Sequence, residues 1–417
     1  MWKSIQSVAS LLTSYGLLML ANAMFGTLLG LRSKYEGFST EITGVIMAAF
    51  FVGMLVGANY AVRIVASAGH IRSFAAFASV MSVSVLAHVL IIDPYAWMLL
   101  RAIAGFCMAG MVMIVESWLN ERSTNSNRGR ILSLYMITNY LGAGMGQFLL
   151  NVANPDSFQL FSVASIIFSI ALVPILLTRA EAPKPSVPER MKFRDLIRVS
   201  PVGVIGTMTA GLTNSSLNSM GPIFAASVGL SVREISIFMA SILLGGMVLQ
   251  FPIGRLSDQF DRRTILTLAA LLTAAASGGI IWAANEPLVI GIFVIGMVYG
   301  GVCYTIYPMS SAQVNDVADK DRLVQVSAGL LMAYGIGAST GPIIASQVMG
   351  RLGPDGLFYF ISACTCFLAL FSVLRIIQRP SGKRKARFLP LGSLGTSSKQ
   401  LYSNVQVSMR RKDTSDD

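Results

Sequence analysis

The chain has 417 residues, 54% of them hydrophobic and 12% charged, with a net charge of +12. A soluble domain carries about 25% charged residues, so this chain has too little charge to coat a water-facing surface of its size. That argues against a cytosolic enzyme, a disordered scaffold and a nucleic-acid-binding domain. A mean hydropathy of +0.64 agrees. Cys107, Cys303, Cys364 and Cys366 lie in apolar runs with no disulfide or zinc spacing. No metal or cofactor is expected.

In chain order, twelve apolar runs can be marked at 10–31, 44–66, 74–92, 95–119, 131–152, 158–178, 202–228, 235–256, 265–284, 288–313, 324–349 and 357–377. Each is long enough to cross a bilayer as a helix. The reading is an all-α polytopic membrane protein of twelve transmembrane helices. The first run is a retained span, with no cleavage site of small residues clearly after it. The seventh is the weakest, because Asn214, Ser215, Ser216, Asn218 and Ser219 interrupt it. Asp93-Pro94, Asn154-Pro155, Glu286-Pro287 and Gly353-Pro354 mark turns between spans. A Pro-containing, charged stretch after the sixth run divides the chain six plus six. The expected organisation is a bundle over 1–178, a cytoplasmic linker over 179–200, a second bundle over 201–378 and a disordered basic tail over 379–417.

Lys and Arg set the topology. Of 32 such residues, Arg32, Lys34, Arg233 and Arg351 fall in one set of loops and Arg101 falls inside a span. The rest lie on the side of both termini. The positive-inside bias then makes both termini cytoplasmic, and the net charge becomes a property of the face toward anionic lipid headgroups.

The two halves repeat each other. Met47, Ala48, Gly53 and Arg63 meet Met239, Ala240, Gly245 and Arg255 at a nearly constant spacing. Gly105 and Gly110 meet Gly296 and Gly301. Gly142, Ala143 and Gly146 meet Gly337, Ala338 and Gly341. Such a parallel duplication places a solute site near the midplane, between the halves.

The turn after the eighth run reads Gly254-Arg-Leu-Ser-Asp258-Gln-Phe-Asp261-Arg262-Arg263. It resembles the Gly-x-x-x-Asp-x-x-Gly-Arg-Arg/Lys signature of the major facilitator superfamily, with Asp261 where that family usually has Gly. The first-half turn is degraded, with Ala66 at the Asp position. Arg101 and Gly105 resemble the superfamily's Arg-x-x-x-Gly motif. Glu116-Ser-Trp118-Leu-Asn120-Glu, Tyr307-Pro308, Asn315-Asp316 and Gly335-Ile-Gly337-Ala-Ser-Thr-Gly341-Pro342 are similar to the bacterial YcaD-type branch. Span five reads Gly142-Ala-Gly144-Met-Gly146-Gln147, without the proline that drug antiporters carry there. The resemblance covers residues 1–380. It implies two six-helix bundles, alternating access, a bacterial cytoplasmic (inner) membrane address and a gate at Gly254, Asp258, Arg262 and Arg263 that latches the outward-open state.

Arg101 and Glu116 are the formal charges clearly inside spans. A charge at the bilayer centre costs about 2.5 to 3.5 kcal/mol on insertion scales, so each marks function by default. Glu116 reads as a proton or substrate carboxylate, or as a tether of the span end to nearby arginines. Arg101 reads as an anion-binding or gating group, or as a donor to neighbouring carbonyls. Asn22, Asn139, Asn214, Asn218 and Gln250 are further cavity candidates or interhelical glue. Gly300, Tyr304 and Tyr307 share one face of span ten and form a candidate aromatic wall, and Tyr307 falls at the duplicated position of Glu116. His88 is expected at the membrane interface. The chain contains 2 histidines, no Ser/His/Asp set and no phosphate-binding Gly-Lys-Ser/Thr loop. The function expected is therefore not enzymatic. It is secondary active transport of a small organic solute, with protons as a candidate coupling ion, in a monomer partnered by lipid. A non-transporting receptor or sensor on the same fold is the alternative.

Overall fold

The computed structural model describes residues 2–123, 127–177, 193–319 and 322–378. The expected basic tail and most of the expected linker lie outside them. Lipid offers no partner for a backbone N–H or C=O, so a spanning chain must satisfy these groups within its own helices. The described residues contain helices and no strand. They are α1 (Trp2–Tyr35), α2 (Thr40–Ala68), α3 (His70–Leu90), α4 (Pro94–Glu121), α5 (Arg128–Phe148), α6 (Gln159–Ile170), α7 (Val173–Leu176), α8 (Phe193–Val199), α9 (Pro201–Ser227), α10 (Val232–Gln259), α11 (Arg262–Asn285), α12 (Val289–Cys303), α13 (Ile306–Val317), α14 (Leu323–Leu352) and α15 (Gly356–Gln378). Ten helical stretches are long and apolar enough to cross a membrane, and the bent pair α8–α9 makes an eleventh. The twelfth is α5, whose inward face carries Tyr135, Asn139, Tyr140 and Gln147.

Local chemistry sets the helix ends. Asp93 accepts from the Ala96 N–H at 2.8 Å, with Pro94 in the first turn of α4. Ser231 and Glu234 form a reciprocal capping box on α10. Gly353 closes α14 at φ +79°, a region that favours glycine. Side-chain placement inverts that of a soluble protein. Val83, Leu90 and Ile290 are exposed, whereas Asn139, Thr213 and Ser216 are buried. This polarity suits a lipid surround.

The halves pack as copies. α2 lies on α4 as α10 lies on α12; α1 lies on α5 as α9 lies on α14; α3 lies on α6 as α11 lies on α15. Across the halves, α2 meets α14 and α5 meets α10. Glycine sets the closest approaches. A Cβ on Gly53 would overlap the Ala102 carbonyl, and one on Gly245 would overlap the Met297 carbonyl. A Cβ on Gly105 would overlap the Phe50 carbonyl, and one on Gly300 the Ile242 carbonyl. By its contacts, the counterpart of Gly105 is therefore Gly300 and not Gly296. The sequence register for span ten slips by one helical turn, because several glycines in that run offer alternative matches. Tyr307 is then not the counterpart of Glu116.

Proline breaks two of the expected continuous spans. Pro308 has no N–H for the carbonyl four residues earlier, and the tenth span divides at Tyr304 and Thr305 into α12 and α13. Pro174 likewise separates α6 from α7. The end of the expected linker is the short helix α8, bent by 116° from α9. Its Leu196 is buried and faces Gly329 of α14.

Gly53 and Gly144 give a paired test. Gly53→Ala should lower the unfolding temperature in detergent, at a cost of about 1–3 kcal/mol for an overpacked contact. Gly144→Ala, with nothing within 4 Å of the added methyl, should leave it unchanged or raise it. Equal shifts would remove the close-packing account.

Candidate functional site

Two ends of the bundle serve as landmarks: the Ser39 end, where α1 meets α2, and the Asp261 end, where α10 meets α11. Between the halves lies a small cavity with an open mouth. The first half lines it from α1, α2, α4 and α5, and the second half from α9 and α10. Three expected residues meet there: Asn22, Arg101 and Asn218.

Arg101 is 3% exposed. Its Nε and Nη1 have no hydrogen-bond partner. Phe50 lies under the guanidinium at 4.4 Å and Phe25 at 5.4 Å. Aromatic faces attract a cation, but they supply no lone pair for its N–H groups. Nearby, the Thr27 hydroxyl donates to Gln147 Oε1 at 2.8 Å. The Tyr304 hydroxyl donates to Asn218 Oδ1 at 3.2 Å. Met19, Met47, Phe51, Met239 and Leu243 form much of the remaining wall.

Glu116 stands apart. It lies fifteen residues along α4 from Arg101, about 22 Å at helical rise, and is 1% exposed. The Tyr135 hydroxyl donates to its Oε1. Tyr135 stacks on Tyr15 with ring centroids 4.3 Å apart, and Asn139 Nδ2 donates to the Tyr15 hydroxyl. A polar chain thus joins α4, α5 and α1. Tyr307 faces this region from the second half and packs on Tyr334 with ring centroids 5.0 Å apart.

The other candidates are placed as follows. Tyr140 donates to Gln250 Oε1 at 3.4 Å, bridging α5 and α10. Asn214 Oδ1 lies 3.5 Å from Cys303 Sγ, between α9 and α12. Tyr304 and Tyr307 do not form one wall with Gly300. The break after Cys303 turns Tyr304 toward Tyr140 and Asn218 and Tyr307 toward Tyr334, while Gly300 packs against the α10 backbone. His88 lies in the last turn of α3. It is buried, its Nδ1 donates to the Ser84 carbonyl at 2.7 Å, and its ring meets Phe25 edge-on at 5.3 Å. Thr27, Gly26 and Gln147 were missed as lining residues. The signal for Gln147 was an uncharged polar group at the end of the small-residue run of α5.

At the Asp261 end, Arg262 is buried between two carboxylates. Its Nη2 lies 2.9 Å from Asp258 Oδ1 on α10, and its Nε lies 2.8 Å from Asp316 Oδ2 on α13. Asp316 had been noted for its resemblance alone, with no gate role. Asp261, the departure from the family signature, caps α11: its Oδ1 accepts from the Arg263 N–H at 2.9 Å, and its Oδ2 pairs with Arg263 Nη2 at 3.1 Å. Gly254 is buried in the last two turns of α10. These pairs tie α10, α11 and α13 of the second half together.

The sequence profile of the Major Facilitator Superfamily matches residues 11–202 and 203–408. The chain is 28% identical to the uncharacterized MFS-type transporter YcaD of Escherichia fergusonii, over 90% of this chain and 97% of that one. It is 28% identical to an MFS-type transporter of Yersinia enterocolitica, over 90% and 96%. Among solved structures it is similar to the nucleoside transporter NupG, with a TM-score of 0.71 at 13% identity, over 90% of this chain and 99% of that one. It is also similar to a bacterial homolog of the human lysosomal transporter Spinster in its inward-facing, unoccupied conformation. That TM-score is 0.68 at 14% identity, over 97% and 98%.

The arginine clamp predicts an order of effects. The Asp316 side chain is 12% exposed and that of Asp258 is 30% exposed. Removing one partner of a buried pair costs about 3–5 kcal/mol, and an exposed pair contributes about 0–1 kcal/mol. Asp316→Asn should therefore lower the melting temperature of the purified protein more than Asp258→Asn. The reverse order would make Asp258 the principal partner of Arg262.

Proposed function

The chain belongs to the Major Facilitator Superfamily, and from that premise we propose that it is a secondary active transporter moving a small organic solute by alternating access. The observation that carries this reading is the cavity between the halves, lined from both and holding a buried, always-charged arginine. A site at the interface of two repeats changes its exposure when one repeat rocks against the other. Contacts between the halves are present at the Ser39 end. Lys34 Nζ on α1 reaches Ser227 Oγ on α9 at 3.2 Å, and Asn151 Nδ2 reaches Ser236 Oγ on α10 at 3.0 Å.

The proposal includes proton coupling at Glu116. A buried carboxyl that accepts from a tyrosine moves through an apolar phase at lower cost when protonated. The proposed orientation puts the Asp261 end and both termini in the cytoplasm of a bacterial cell, a reading that the distribution of Lys and Arg supports. The Asp258–Arg262–Asp316 cluster then serves as a cytoplasmic gate element.

Paired spin labels test alternating access without a known solute. One pair spans the Ser39 end, at Glu41 and Arg351; the other spans the Asp261 end, at Ser67 and Arg322. Distances should lengthen at one end as they shorten at the other. A single fixed distance at both ends would favour the receptor reading. An imposed pH gradient should shift these populations in the unaltered protein and not in Glu116→Gln; an equal shift in both would remove Glu116 from coupling. On a cysteine-free background in intact cells, impermeant maleimide should label Glu286→Cys and spare Arg198→Cys. The opposite pattern would invert the topology.

A further inference from the structure

We propose that the Arg101 cavity binds an organic monoanion, a single carboxylate or equivalent oxyanion on an apolar body. This rests on the reading of the cavity as the solute site.

The argument begins with what Arg101 lacks. A guanidinium stays protonated at any working pH and presents five N–H donors. Here it is 3% exposed, with Nε and Nη1 unpartnered. Among the described residues no carboxylate pairs with it. The cavity lining holds no Asp or Glu, and Glu116 is far along the same helix. Phe25 and Phe50 offset part of the charge and fix the plane of the fork. They leave its donor edge unsatisfied. A structural arginine kept for carbonyls would show those carbonyls at Nε and Nη1, and none is there.

The neighbours also lean toward donation. Asn218 Oδ1 is taken by the Tyr304 hydroxyl, which leaves the Asn218 amide N–H groups free to donate. Gln147 Oε1 is taken by Thr27 and one Nε2–H by the Ala23 carbonyl, which leaves one N–H. Asn22 lines the cavity and brings a second amide. The polar groups that converge on the space therefore include one full positive charge and several N–H donors, and no negative charge. Planar, bidentate recognition of an oxyanion is what such a fork does best. One guanidinium neutralises one charge. A second charge on the ligand would enter a low-dielectric wall without a partner.

The rest of the space sets the ligand's other end. Three methionines, Leu243 and Phe51 give an apolar, adaptable lining. Gly26 leaves room on α1, since a Cβ there would meet nothing within 4 Å.

The experiment compares one skeleton in two charge states. The full chain in phosphatidylcholine nanodiscs is equilibrated with radiolabelled phenylbutyrate or with its uncharged amide, phenylbutyramide, and binding to empty discs is subtracted. The unaltered protein should bind the acid about tenfold more tightly than the amide, the scale of a charge-assisted bidentate contact. Arg101→Gln should abolish that preference, and Arg101→Lys should keep part of it. Gly26→Leu, whose added side chain points into open space, should exclude both compounds while leaving the melting temperature in place. Equal binding of acid and amide by the unaltered protein, no binding of the acid, or an unchanged preference in Arg101→Gln would each overturn the proposal. An acid preference in a protein whose end-to-end distances never exchange would keep the anion site and sink the transporter reading. Exchanging distances without an acid preference would keep the transporter and sink the anion site.

Discussion

A bilayer supplies no hydrophobic force between helices, because lipid tails are as apolar as leucine. Helix association here must come from close backbone approach and from polar contacts. The four glycines Gly53, Gly105, Gly245 and Gly300 place Cα against a neighbouring carbonyl, in two crossings built alike. α2 and α10 are thereby held against α4 and α12, and the same helices carry their other faces to the opposite half. The interface between the halves is positioned by these contacts, and the cavity lies in that interface.

The polar groups divide accordingly. Between helices of one half many side chains are satisfied: Thr213 bonds to the Thr209 carbonyl, Thr273 to the Ala269 carbonyl, and Arg262 is clamped by two carboxylates, whereas His88 Nε2 and Trp118 Nε1 are buried without a partner. Facing the space between halves, Arg101 is left with capacity to spare. Burying a polar group without a partner is costly, and the cost is greatest for a full charge, which sets Arg101 apart from the neutral buried groups. The asparagines divide by place. Asn139 and Asn214 are engaged by Tyr15 and Cys303 away from the cavity, whereas Asn22 and Asn218 line it, Asn218 with its Oδ1 held by Tyr304.

The spans and their breaks at Asp93, Asn154, Glu286 and Gly353 were legible in the sequence, since length, hydropathy and turn residues determine them directly. Arg101 and Glu116 were legible because charge inside an apolar run is rare. The grouping was not. Sequence spacing could not say that Asn22 shares a cavity with Arg101 while Asn139 meets Tyr15, because the choice depends on helix rotation about axes set by the glycine crossings. The break at Tyr304 was foreshadowed by Pro308, yet the shared-face argument treated span ten as one helix. Asp316 was hidden for a related reason: its partner Arg262 lies on another helix, fifty-four positions earlier.

The placement of the two charged positions has a consequence for how they work together. Arg101 and Glu116 are about 22 Å apart, too far for a direct contact and beyond the Debye length of about 8 Å wherever water enters. They nevertheless share their supports. α4 carries both. α1 brings Asn22 to the first and Tyr15 to the polar chain that ends at the second. α5 brings Gln147 to the first, and Tyr135 and Asn139 to the second. Both clusters thus belong to one packed unit of the first half, and what faces them from the second half differs: Asn218, Met239 and Leu243 at the cavity, Tyr307 and Tyr334 near Glu116. A rigid-body rotation of one half against the other changes both facing surfaces in the same movement. If the cavity holds the solute and Glu116 the proton, as proposed, communication between them would need no signal along α4. It would need the first half to stay rigid, which is what the contacts of Gly53, Gly105, Gly142 and Gly146 with neighbouring backbones provide.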